Sequence, residues 1–93
     1  MALLSDAEID DRLAGVGDWR REGDEIVHER KLDDFMQAMA FVNRVAEVAE
    51  ELNHHPDILV HGWNRVRLGV TNHSQGGLTE ADFALAARID DLS

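Results

Sequence analysis

The sequence contains no cysteine and no tyrosine, a single proline (Pro56) and a single lysine (Lys31). Lack of cysteine excludes a disulfide scaffold and a cysteine nucleophile, and it fits a reducing compartment, so the cytoplasm is the expected location. No apolar run approaches the ~20 residues needed to span a bilayer. Asp6 and Glu8 follow the start too soon for the apolar core of a signal peptide, so no membrane association is expected. Basic charge is scarce as well. Nine Lys and Arg against nineteen Asp and Glu leave a net charge of -10, which repels phosphate backbones and anionic surfaces and argues against direct nucleic-acid binding. Arg20-Arg21 and Arg65 with Arg67 are short, flanked by acid, and read as solvated strand faces. Phosphate-cradling loops and serine elbows are missing too, Gly76-Gly77-Leu78-Thr79 being neither.

What is present is a folding chain of 93 residues, 44% of them hydrophobic, with no linker, repeat or low-complexity tract. One domain over residues 1-93 is expected. A domain of this size buries only roughly 60 to 65% of its unfolded surface, so a homodimer or homotetramer is the expected state.

Ser5 with Glu8 three residues later has capping-box spacing, and Ile9 and Leu13 give a short helix that Gly15 and Gly17 end. Trp19 to Arg21 and Glu25 to Leu32 read as a hairpin about Glu22-Gly23-Asp24. Asp33 or Asp34 caps a helix that runs to about Asn53. On its wheel the apolar residues Phe35, Ala38, Met39, Phe41, Val42, Val45, Ala46, Val48, Ala49 and Leu52 share one half, which predicts that it lies on a sheet. Pro56 cannot continue it. Ile58 to His61 and Trp63 to Thr71 read as strands around Gly62, a turn or bulge, with Val66, Leu68 and Val70 on the dry face. Thr79 and Asp82 repeat the capping spacing before a last helix with Phe83, Ala86, Ala87 and Ile89. The expected fold class is α+β, of order α-β-β-α-β-β-α, with an antiparallel four-stranded sheet covered on one face by helices.

Five histidines are many for this length. His28 in a strand and His61 beside Gly62 read as surface or edge residues. His54 and His55 stand at a helix C-terminus, where one imidazole could serve the last carbonyls; two neighbours locked by Pro56 point in different directions, which leaves at least one for other work. His73 precedes Ser74-Gln75-Gly76-Gly77 and is either a loop histidine or a site residue. Asp82 has an ordinary task available as a helix cap. Three histidines and a carboxylate are also a conceivable zinc set, but neither His-x-x-x-His nor His-x-His occurs, so no metal is expected.

Glu50-Glu51-Leu52-Asn53-His54-His55-Pro56-Asp57, then Asn64-Arg65-Val66, Thr71-Asn72-His73 and Gly77-Leu78-Thr79-Glu80-Ala81-Asp82 together resemble the pterin-4a-carbinolamine dehydratase family. Asp34-Phe35 through Phe41, Arg44-Val45-Ala46 and Ala49-Glu50 resemble the long helix that leads into the family's His-His-Pro. The resemblance implies dehydration of a 4a-hydroxytetrahydropterin to a quinonoid dihydropterin, in pterin recycling, without metal or organic cofactor. It implies that His54 and His73 act as acids on the departing hydroxyl, that His55 binds substrate and assists proton removal, and that Asp82 supports the histidines. Glu50 would contact the pterin or orient a histidine, and Pro56, Asn72, Ser74 and Gln75 would line the pocket. The same family fold also serves as a dimerisation or assembly module without catalysis, which is the alternative reading. This chain departs from the family pattern in one extra residue between Pro56 and Asn64, which Gly62 is expected to absorb as a bulge, in Asn72 for threonine, and in Ile58 for a frequent aromatic.

Overall fold

A computed structural model describes residues 2-92. Its elements are α1 (Asp6–Leu13), β1 (Arg20–Glu22), β2 (Glu25–Lys31), α2 (Phe35–Leu52), β3 (Asp57–His61), β4 (Arg65–Val70) and α3 (Glu80–Asp90), the order the sequence predicts. All strand pairs are antiparallel and the sheet order is β1-β2-β4-β3.

Alternation along the strands builds the core. Ile26, Val66, Leu68 and Val70 are fully buried and pack with Phe41 and Val45 of α2 and Leu85, Ala86 and Ile89 of α3. The intervening residues, Arg65 and Arg67 among them, belong to the face that carries no helix, so the sheet is covered on one side. The apolar half of α2 is wider than the cover it receives. Phe35 is 50% and Leu52 36% exposed, Ala46 is exposed as well, and Met36 beyond that half is 73% exposed.

The helix ends follow their local signals. Ser5 Oγ accepts the Glu8 N–H at 3.2 Å while Glu8 Oε1 accepts the Ser5 N–H at 2.9 Å. That backbone donor, with the Ser5 hydroxyl, holds the Glu8 carboxyl below the ordinary glutamate range. Asp34 Oδ1 accepts the Gln37 N–H at 2.8 Å. Asp90 ties the loop before β1 to α3, accepting from Trp19 Nε1 at 2.8 Å and from the Gly17 amide at 2.7 Å.

Two expectations need correction. His28 is neither surface nor edge: it lies on an inner strand, 5% exposed, its ring stacked on Trp19 at 5.1 Å between centroids, with Nδ1 donating to the Asp18 carbonyl at 2.7 Å. It shares a strand face with Ile26, so its position in the alternation outweighs its polarity. Gly62 makes no bulge. Pairing runs unbroken from Asp57 opposite Gly69 to His61 opposite Arg65, and Gly62 and Trp63 enter the turn with φ of 56° and 57°. Trp63 is therefore a turn residue, 62% exposed, and β4 starts at Arg65.

Phe41→Ala should destabilise the domain by about 3 to 5 kcal/mol in urea unfolding, whereas Phe35→Ala should change it by less than about 0.5 kcal/mol. The pH response of α1 has a definite sign. Because the folded value for Glu8 is depressed, its contribution is present above the unfolded value and is lost as pH falls through the folded one. Amide exchange in the first turn of α1 should therefore rise, relative to intrinsic rates, on acidification below the ordinary glutamate range, and Glu8→Gln should flatten that rise.

Candidate active site

The site begins with how α2 stops. Asn53 takes a left-handed conformation (φ 50°, ψ 43°), and the amides of Asn53 and His54 turn back to the carbonyls of Glu50 and Ala49 at 3.2 and 3.1 Å. This Schellman arrangement satisfies the helix end with backbone alone, so the two imidazoles are not used as caps. Their rings diverge. His54 Nε2 lies 2.5 Å from Asp82 Oδ1, with the His54 side chain 15% exposed. His55 Nε2 lies 2.5 Å from Glu50 Oε2, with the His55 side chain 56% exposed. A carboxylate only accepts, so Nε2 carries the proton in both pairs and Nδ1 is the nitrogen left for other partners.

Asp82 takes both tasks open to it. Its side chain is fully buried; Oδ1 accepts from His54, and Oδ2 accepts the Thr79 amide at 2.7 Å and the Thr79 hydroxyl at 3.3 Å. The carboxylate is thus the helix-start partner of Thr79 and the orienting partner of His54. Each oxygen is satisfied, as a buried charge requires.

The loop after β4 is held by Asn72. Its carbonyl accepts from the amides of Gln75 and Gly76 at 3.1 and 2.9 Å, and Asn72 and Gly77 form an antiparallel bridge. Gly76 has φ 76°, where a side chain would be strained. Asn72 Oδ1 accepts from the Ser74 hydroxyl at 2.8 Å and the Gln75 amide at 3.3 Å, and Asn72 Nδ2 approaches Thr79 Oγ1 at 3.5 Å. Thr79 therefore links the loop to the Asp82–His54 pair.

The named residues fall into three groups. His54 joins Asp82, His55 joins Glu50, and Asn72 gathers Ser74 and Gln75. Pro56, half-buried, leads from the histidines into β3. His73 is exposed and has no hydrogen bond or ion pair among the described residues. It lines a cavity of about 360 Å³ with Asn72, Thr71, Glu22, Asp24 and Glu25, which neither His54 nor His55 lines. Those acids and the buried Thr79 are not among the site residues that the sequence suggests. The Thr79-to-Asp82 spacing was a visible signal for the cap, but nothing in it announced burial; Glu22-Gly23-Asp24 was visible only as a turn. Among the described residues no three His, Asp or Glu side chains are grouped to hold a metal ion, and no helix is long and apolar enough to cross a membrane.

A small α+β fold with histidine–carboxylate pairs at the join of a long helix and an edge strand can be set beside known proteins. The family model described as pterin 4 alpha carbinolamine dehydratase matches residues 2–92. A Chloroflexus aurantiacus protein named "Putative pterin-4-alpha-carbinolamine dehydratase" is 53% identical over 92 residues, covering 99% of this chain and 98% of that one. A protein of the same name from Thermomicrobium roseum is 50% identical over 93 residues, covering 100% and 99%. The chain belongs to the pterin-4-alpha-carbinolamine dehydratase family. Its fold matches a Brucella melitensis structure described as a transcriptional coactivator/pterin dehydratase, with TM-score 0.88, 30% identity and 95% of each chain covered. It also matches a pterin dehydratase-like protein described as a RuBisCO assembly factor in the alpha-carboxysome, with TM-score 0.65, 28% identity, and 80% of this chain and 87% of that one covered.

Asp82→Ala should cost about 2 to 4 kcal/mol in chemical denaturation, because it strips a buried Thr79 amide and the His54 ring of their acceptor at once. Asp82→Asn, which keeps one acceptor oxygen, should cost less.

Proposed function

We propose that this protein dehydrates a 4a-hydroxytetrahydropterin to the quinonoid dihydropterin by histidine general acid–base catalysis. The observation that carries the reading is the His54–Asp82 pair, a half-buried imidazole held by a fully buried carboxylate that is itself anchored to Thr79. In the reaction the C4a–O bond breaks, the hydroxyl takes a proton and leaves as water, and a neighbouring ring N–H gives up a proton as its electrons form the C=N bond. One proton is delivered and one removed, so the only net loss from the substrate is water.

The residue chemistry suits both transfers. With Nε2–H directed to Asp82, His54 has its other ring nitrogen, Nδ1, turned to serve the substrate, and it donates from that nitrogen when it acts as the acid. His73, exposed and without a hydrogen bond or ion pair among the described residues, is the second acid on the departing oxygen. His55, with Nε2–H held by Glu50, keeps an Nδ1 lone pair to receive the ring proton while it binds substrate. On this reading Pro56, Asn72, Ser74 and Gln75 line the substrate's pocket. Such positioned proton transfers typically contribute about 10² to 10⁴ in rate. On this reading the protein works in the cytoplasm, in pterin recycling, as a homodimer or homotetramer that relieves a thin core.

A second reading is supported by a separate feature, the exposed Phe35 and Met36 at the start of α2. On it the chain is a protein-binding module, alone or in addition to catalysis.

Freshly generated 4a-hydroxytetrahydropterin should disappear faster with the wild-type protein than without it. His73→Ala should lose about 10²-fold or more of that acceleration while keeping the wild-type melting temperature. No acceleration by folded wild-type protein would overturn the catalytic reading and favour the binding module.

A further inference from the structure

The sheet face that carries no helix is not uniformly charged. Its rows can be read from the pairing. Glu29 of β2, Arg67 of β4 and Leu59 of β3 stand side by side, and in the next row Lys31, Arg65 and His61 do the same. The last row puts two formal cations directly opposite each other with an imidazole beside them. Like charges in that relation destabilise a sheet, and elsewhere in this protein they are neutralised. Of the nine basic side chains, all but Lys31 and Arg65 make an ion pair, a hydrogen bond or a ring contact among the described residues.

The shortage of partners is not a shortage of acid, since nineteen carboxylates are available to nine bases. Glu29 is the acid that borders this row, and it is held by Arg20 at 3.0 Å. Lys31, Arg65 and His61 line a cavity of about 320 Å³ together with Glu29 and Arg30, and the Glu29 carboxylate in that lining is the one already held by Arg20. A planar guanidinium fork, an ammonium and an imidazole N–H on adjacent strands are the donor set for a tetrahedral oxyanion. The overall charge of -10 does not forbid it, because at physiological salt remote acids are screened within ~8 Å while the cations act at contact.

We propose that the Lys31–Arg65–His61 row binds a phosphate group, as inorganic phosphate or as the phosphate of a small monoester, at the opposite end of β3 from His55 and Pro56. The site is built from the open sheet face and uses no residue of the candidate active site.

The test is a titration of the full-length protein by ¹⁵N-detected NMR with two probes, inorganic phosphate and phenyl phosphate, at constant ionic strength. Saturable shifts centred on Lys31, His61 and Arg65 are expected with at least one probe. Tighter binding of phenyl phosphate would identify a monoester as the natural class, and equal or tighter binding of inorganic phosphate would identify the free ion. Arg65→Gln and Lys31→Gln should each weaken binding by about fivefold or more. Both positions are exposed, and spectra unchanged away from the row would verify the fold of each variant. Shifts that never saturate, or saturable binding that neither substitution weakens, would overturn the proposal.

Discussion

The contact on which the functional end of the molecule depends is the buried carboxylate of Asp82. A charge without solvent must be compensated on every side, and this one is shared between the start of α3, through Thr79, and the residue just beyond α2, through His54. The two helices are far apart in sequence and pack together in the core. Their relative placement at the site is set by two oxygens of one side chain. An imidazole placed by such a carboxylate has its tautomer and ring orientation chosen before any ligand arrives, which lowers the cost of ordering it later.

The remainder of the fold delivers the pieces to that contact. Burial of Phe41, Val45, Val48 and Ala49 fixes α2 against the sheet, and left-handed Asn53 stops it where the next residue faces α3. Because the backbone closes its own helix end, the histidine side chains remain available. The outer sheet face works differently. Val27 is fully buried there although no helix covers that side. Its neighbours are charged: Arg20 stands directly opposite, and Arg67 pairs with Glu22 at 3.0 Å. Long charged side chains cover apolar surface with their stems while keeping their heads in water.

Much of this was legible in the amino-acid order. The α-β-β-α-β-β-α succession follows from capping pairs, the change of hydrophobic period from 3.6 to 2, and the stops at Gly15 and Pro56, all of which are local. The extent of helix cover over Phe35, Ala46 and Leu52 was not, because a wheel reports where apolar residues lie and not how much surface arrives to meet them. His28 illustrates the same limit from the other side: polarity suggested surface, while alternation with Ile26 and stacking on Trp19 decided its place. In the candidate site, Asp82 and His54 could be nominated as individuals from sequence. Their pairing, and the link through Thr79 and Asn72, depends on a 28-residue separation closed only by the tertiary fold. The grouping of His73 with Glu22, Asp24 and Glu25 joins segments still farther apart.

The manner in which α2 ends also divides the chain by its tolerance of changes in length. Each residue of an α-helix advances the chain by about 1.5 Å and turns it by about 100°. A single insertion inside α2 would therefore rotate His54 away from Asp82 or force the buried face of the helix out of register with the sheet. The turn residues Gly62 and Trp63 are exposed and stand outside the strand pairing, whereas the next residue, Asn64, is buried and bonded to Leu32. A change of length is accordingly tolerated best at Gly62 and Trp63, while the interval from Phe41 to His54 behaves as a fixed ruler between the core and the chemistry.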